Sequence, residues 1–159
     1  MQQILMVVGA FMLLSLLTIS VNKSIIDRTN ATYESESVIA SSTLAQALLQ
    51  EVTLRAFDQN TRFAAVASPT GLTSVASLGK EGEVYPLFND LDDYKGFTRY
   101  DTARIGIFRS SVDVQYANPS SPNDSSTTQT FYKKITVSVI TKDSTKMSYP
   151  VTLSTVVTY

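Results

Sequence analysis

A short acidic stretch in the middle of the chain carries the side chains best suited to bind a ligand. In FNDLDDYKGF, residues 88–97, four oxygen-bearing side chains lie close together: Asn89, Asp90, Asp92 and Asp93. Carboxylate and amide oxygens are the ligands that Ca²⁺ prefers, but the spacing is not that of the twelve-residue EF-hand loop. Lys95 and Arg99 are near enough in sequence to neutralise the carboxylates. The stretch therefore predicts a capped structural turn, with a Ca²⁺ site as the alternative.

The composition excludes several other kinds of chemistry. Histidine and cysteine are both absent from the 159 residues, which removes the commonest general base and metal ligand as well as thiolate sites and disulfides. The 13 Lys and Arg residues are scattered among 14 Asp and Glu, so the net charge is -1 and no basic stripe marks a nucleic-acid surface. We expect neither an enzyme, with no catalytic residue to assign, nor a nucleic-acid partner.

The chain opens with an uncharged apolar segment, residues 1–21. Residues 4–21 are about long enough to cross the hydrocarbon core of a bilayer. A secretory signal peptide would add a basic region and a small-residue cleavage site, and neither is present. A plain anchor would have Lys or Arg on its cytoplasmic side, yet Lys23 and Arg28 both follow the segment. The missing basic region and the missing cytoplasmic Lys or Arg are both explained if a short basic leader has been removed before residue 1. We adopt this interpretation.

Nothing in the sequence interrupts a helix between residue 1 and about residue 57. The first proline is Pro69, and Gly9 is the only glycine before Gly71, whereas Pro and Gly are the strongest helix breakers. Such a helix is roughly 85 Å long at 1.5 Å per residue. After about residue 38 its apolar face is expected to cover the protein's own sheet, and residues 22–37 are expected to contact other subunits. Residues 30–37 have the weakest helical sequence, so we expect any local unwinding of the helix to occur there.

The remainder of the chain predicts a β-rich domain, residues 58–159. Residues 104–116, 131–141 and 148–159 are rich in β-branched side chains, and apolar and polar residues alternate along the last two. A period of two is typical of half-buried antiparallel strands. The polar segment 117–130 is expected to form an exposed hairpin loop. The predicted fold class is therefore α+β, with the C-terminal half of a long N-terminal helix packed on an antiparallel sheet.

Two short sequences match the acceptor pattern for N-glycosylation, Asn30-Ala31-Thr32 and Asn123-Asp124-Ser125. The second lies in the polar loop, where O-linked sugars are a further possibility. The candidate glycosylation residues are Asn30, Asn123, Ser125 and Ser126. The alternative is an unmodified, solvated loop.

The order of these elements resembles that of type IV pilins and pseudopilins. The shared features are an uncharged apolar helix at residue 1, an amphipathic continuation and a Ser/Thr-rich β domain, together with the Asp-Asp-Tyr-x-Gly stretch at residues 92–96. The resemblance implies a leader peptidase, N-methylation of Met1, an inner-membrane stage and an assembly platform. It also implies a helical filament of identical subunits outside the cell. The residues expected to form the filament core are Met1, Ile4, Leu5, Val8, Phe11, Met12, Leu16 and Ile19.

Two positions depart from the bacterial pattern. The family usually has Glu at the fifth mature position, where this chain has Leu5, and a proline near the end of the apolar segment, where this chain has Asn22. The contact between that carboxylate and a neighbour's amino terminus is therefore not carried over. We expect the structural subunit of a pilus-like filament with adhesion or motility roles. The alternatives are a minor pilin or pseudopilin of a pilus or type II secretion machine, and a membrane-tethered ligand-binding module.

Overall fold

The computed structural model describes residues 1–143, 147 and 149–159. The chain divides into two units, which we call the N-terminal unit, Met1–Glu36, and the head unit, Ser37–Tyr159. The head unit thus includes the last part of the long helix.

The helix α1 extends over Gln2–Thr53, as the absence of proline predicts. It ends before residue 57 because the chain next pairs with the acidic stretch. Ala56 forms a parallel bridge with Asp90, and its carbonyl oxygen accepts a hydrogen bond of 3.0 Å from the Leu91 N–H. The backbone of this region therefore satisfies its hydrogen bonds outside the helix.

The helix does not melt at residues 30–37, where an interruption was considered. Polar side chains there bond back to the helix that carries them. The Thr32 hydroxyl donates to the Arg28 carbonyl at 3.0 Å, and the Ser35 hydroxyl donates to the Ala31 carbonyl at 2.9 Å. Such bonds keep Ser and Thr compatible with a helix interior.

Five strands form one antiparallel sheet in the described part of the head unit, in the order β1-β2-β4-β5, with β3 paired to the far end of β2. The strands are β1 Thr98–Ala103, β2 Gly106–Asn118, β3 Ser121–Ser125, β4 Tyr132–Thr141 and β5 Val151–Thr158. Three of them, β2, β4 and β5, match the predicted strands with shifted ends.

The other two strands correct the sequence interpretation. The segment 117–130 contains β3, which pairs with β2 beside an irregularity at Ala117 and Asn118. No apolar pattern marks β3, because four of its five residues are exposed. The short β1 was not predicted. Residues 144–146 and 148, which include the start of the third predicted strand, lie outside the described residues.

The core lies between one face of α1 and the sheet. Ala45, Leu48 and Val52 recur at helical spacing and are fully buried. They belong to the same apolar cluster as inward-facing residues of the sheet: Val112, Val114, Ile135, Val137 and Val139. The α+β fold class, with the helix packed on an antiparallel sheet, is confirmed.

Candidate functional site: an apolar helix surface and a buried lysine cluster

The first candidate site is the surface of α1 in the N-terminal unit. All predicted assembly residues are exposed, and the least exposed of them, Val8, still has 48% of its surface accessible. The most apolar 18-residue window of this helix has a mean hydropathy of 2.6, and none of it is buried. By length and composition, α1 is sufficient to cross a membrane. The apolar surface therefore requires lipid or protein around it.

Few polar groups interrupt this surface. The Ser15 hydroxyl donates to the Phe11 carbonyl, and the Thr18 hydroxyl donates to the Leu14 carbonyl, both at 2.9 Å. Hydroxyls that are satisfied within their own helix add little cost to an apolar environment. The segment can thus pass between lipid and protein surroundings without leaving these donors unpaired.

The second candidate site is a lysine buried in the head unit. Lys133 lies on β4 in phase with Ile135 and Val137, so its side chain enters the core and is 0% exposed. Its ammonium donates three hydrogen bonds: to the Phe57 carbonyl at 2.7 Å, to Asp58 Oδ2 at 3.0 Å and to Asp92 Oδ1 at 2.8 Å. An ammonium has three donors, so all are used. The lysine joins the sheet to the segment after α1 and to the acidic stretch.

Asp58 is the most completely satisfied carboxylate of this cluster. Besides Lys133, it accepts bonds from the Thr73 N–H at 3.1 Å, the Thr73 hydroxyl at 3.0 Å and the Asn60 N–H at 3.1 Å. The Tyr116 hydroxyl lies 3.3 Å from Asp58 Oδ2 but donates its proton to the nearer Thr73 carbonyl, at 2.7 Å. Burial raises the pKa of Asp58, but Lys133 and these donors outweigh it and lower the pKa below its ordinary value. Asp58 is therefore held as the anion.

Two aromatic rings complete the surroundings of Lys133. Its Nζ lies 4.8 Å from the ring centre of Phe57 and 5.2 Å from that of Tyr116, within the range of cation–π contacts. Burial, together with the charges of Asp58 and Asp92, raises the pKa of Tyr116. The phenol therefore stays neutral and acts as a hydrogen-bond donor.

The residues of the alternative Ca²⁺ site are adjacent, and their carboxylate oxygens accept bonds from separate groups within and beside the turn. Asp93 Oδ2 accepts the N–H groups of Asn89 at 2.8 Å and Asp90 at 3.3 Å. Asp90 Oδ1 accepts those of Asp92 and Asp93 at 3.1 and 3.2 Å, and Asp92 Oδ1 bonds Lys133. Among the described residues, no group of three or more His, Cys, Asp or Glu is arranged to hold a metal ion. The geometry fits the capped turn.

Asp90 and Asp92 differ from Asp58 in the direction of their pKa shifts. Burial above all, with the charges of Asp92 and Asp93, raises the pKa of Asp90 to about 8. Burial also raises the pKa of Asp92, although Lys133 opposes the shift. Asp92 Oδ2 is buried and receives no N–H or hydroxyl donor from the described residues. With a pKa of about 8, the Asp90 carboxyl is protonated at neutral pH.

The candidate glycosylation residues belong to both units. Asn30 is exposed on α1, whereas Asn123 and Ser125 are exposed on β3. Ser126 is half-buried, and its hydroxyl donates to the Thr128 carbonyl at 2.8 Å. Their modification stays a prediction.

No protein-family model, curated protein or solved structure matches this chain. The structure itself defines a class: a long N-terminal apolar helix packed by its later part on an antiparallel sheet. That class is compatible with a pilin-like fold.

The lysine cluster was missed in the sequence, although one signal for it was present. In FYKKITVSVIT the inward positions of the strand are occupied by Ile135, Val137 and Val139, and the same phase places Lys133 inside. A lysine in phase with a buried face demands a carboxylate partner. The sequence pattern does not say which carboxylate supplies it.

Proposed function

We propose that this protein is a structural subunit of an extracellular, type IV pilus-like helical filament with adhesion or motility roles. The observation that most supports this proposal is that every large apolar side chain of residues 1–21 is exposed. Lipid surrounds this segment before assembly, and the same segments of other copies surround it in the filament. Leader removal, N-methylation of Met1 and an assembly platform belong to the same proposal.

The free energy that drives assembly depends on whether the apolar segment comes from water or from a bilayer. Burying one large apolar side chain from water contributes roughly 1.5–3 kcal/mol, so the segment cannot remain solvated. Lipid is as apolar as leucine, however, so transfer from bilayer to filament gains little from the hydrophobic effect. Filament stability must then come from close packing between helices and from contacts between head units.

A charge within the segment tests this proposal. We expect Val8→Asp to abolish filaments, because a carboxylate in a helical core would be buried without a partner. Val8→Leu, which keeps the position apolar, is the matched control and should assemble. Electron microscopy counts filaments, and circular dichroism of the detergent-solubilised chain verifies that the sheet is retained. Normal filaments from Val8→Asp would contradict the proposal.

Leu5 favours a second candidate, a minor pilin or pseudopilin, because major subunits of the resembling bacterial family usually have Glu there. The share of this chain in purified filaments separates the two. A major subunit makes up most of the filament mass, whereas a minor subunit is sparse. A chain that stays in the membrane and is never found in filaments would instead be the membrane-tethered binding module.

A further inference from the structure

We infer that Lys133 and Asp92 form an intramolecular amide cross-link between β4 and the acidic stretch. The Lys133 Nζ lies 2.8 Å from Asp92 Oδ1, and the two side chains are 0% and 1% exposed. This inference is independent of the proposed filament role, because it concerns the interior of the head unit alone.

The surroundings favour condensation over a lasting ion pair. Desolvation of a buried charge costs several kcal/mol, and Phe57 and Tyr116 present aromatic rings to Lys133. A neutral amide replaces two buried charges with none. Fixing an amine against a carboxyl also supplies an effective concentration of about 10⁵–10⁸ M for well-oriented groups. In such a site the released water has little tendency to return and hydrolyse the product.

Asp92, not Asp58, has the features of the reacting carboxyl. Three donors besides Lys133 bond Asp58: the Thr73 N–H, the Thr73 hydroxyl and the Asn60 N–H. These donors stabilise its anion, which is a poor electrophile, and keep it satisfied once the ammonium is gone. Asp92 Oδ2 receives no such donor from the described residues and is the oxygen free to leave.

The atoms and charges of the reaction balance within the cluster. The Nζ–Cγ bond between Lys133 and Asp92 forms, and the Cγ–Oδ2 bond of Asp92 breaks. Of the three ammonium protons, one stays on the amide nitrogen and two leave with the oxygen as water. Asp58, 3.0 Å from Nζ, accepts a proton from the amine and returns it to the leaving oxygen. No oxidant or cofactor is needed.

Tryptic mapping of the purified full-length chain by mass spectrometry tests the cross-link. Trypsin cuts after Lys and Arg, so unlinked protein yields residues 81–95, which contain Asp92, and 110–133, which end at Lys133. We expect instead a branched product that joins 81–95 to 110–134, lighter than the two peptides together by one water. Cleavage after Lys133 should be lost, because its amine is an amide.

Two arginine variants sharpen this test. Lys133→Arg cannot form the amide and should give the separate peptides, whereas Lys134→Arg, its neighbour on β4, should keep the branched product. Two separate, unmodified peptides from the wild-type chain would overturn the inference, even if Lys133→Arg failed to fold. A branch to residues 56–62, which contain Asp58, would also overturn it.

Discussion

Apolar side chains are usually buried and charged ones exposed. The N-terminal unit breaks the first rule, and the head unit breaks the second. In the first, every large apolar side chain between residues 1 and 21 is exposed. In the second, a lysine is completely buried. The lysine has its partners within the chain, because Asp58, Asp92 and the Phe57 carbonyl use all its donors. The apolar helix surface has no comparable covering among the described residues of its own unit, so its partners must come from elsewhere.

This difference separates stability from assembly. The head unit is complete in itself, and substitutions there should act first on the free energy of unfolding. The N-terminal unit leaves an apolar surface exposed, and the proposed filament role predicts that substitutions there act on filament formation with little effect on the fold. The predictions below test that separation, from the largest expected effect to the smallest.

The largest loss of stability is expected from Lys133→Met. This variant keeps an apolar stem but has no nitrogen to form either the ion pair or the inferred amide, so the carboxylates of Asp58 and Asp92 are buried without that partner, which costs roughly 3–5 kcal/mol. Urea unfolding of the full-length chain in mild detergent measures the change. Lys134→Met, on the same strand but partly exposed, is the control and should lose less than about 1 kcal/mol. Equal stability of Lys133→Met and the wild type would show that the cluster stabilises nothing.

A pair of leucine truncations addresses the comparison directly. Leu48 is 0% exposed and Leu16 is 64% exposed, on the same helix α1. We expect Leu48→Ala to cost about 2–5 kcal/mol, because it leaves a cavity in the core. Leu16→Ala should change the unfolding free energy by less than about 0.5 kcal/mol but reduce the yield of filaments. If Leu16→Ala also destabilised the head unit, the two regions would not be separable.

A smaller effect, dependent on pH, is expected from Asp90. Its pKa is about 8 in the folded chain, above the ordinary value. Between the two values the folded chain keeps a proton that the unfolded chain has lost, so stability falls as the pH rises from about 4 to about 8. One pKa unit corresponds to about 1.4 kcal/mol, and the loss across this window should be at least of that order.

Asp90→Asn is the matched variant for this effect. Asparagine keeps the acceptor oxygen that binds the N–H groups of Asp92 and Asp93 and resembles the protonated acid. Its stability should depend less on pH, and at pH 8 it should exceed that of the wild type. Melting temperatures across pH 4–9 give the result. Identical profiles for the two chains would mean that Asp90 is not protonated in the folded state.

Local sequence patterns were sufficient for much of the fold. The absence of proline before Pro69 predicts one long helix, and the alternation around Ile135 and Val137 predicts β4. Local patterns did not predict β3, whose residues Ser121–Ser125 have no apolar alternation. That strand exists because it pairs with the end of β2, which is a tertiary effect.

The candidate sites were predictable to different degrees for the same reason. The apolar helix surface is continuous in sequence, so the composition of residues 1–21 alone reveals it, while its role in assembly stays a prediction. The lysine cluster joins residues far apart, since Asp58 lies 75 positions and Asp92 lies 41 positions from Lys133. The acidic stretch was recognised from its sequence, but its partner Lys133 was not.

The central claim is that the apolar segment is covered by identical segments of other copies. Electron cryomicroscopy of filaments from the source cells, at a resolution that traces α1, tests it most directly. The account predicts residues 1–21 at the filament centre, with Val8, Phe11 and Leu16 against helices of neighbouring subunits. Finding the chain only as membrane-embedded monomers, with residues 1–21 in lipid and no filament that contains them, would contradict it.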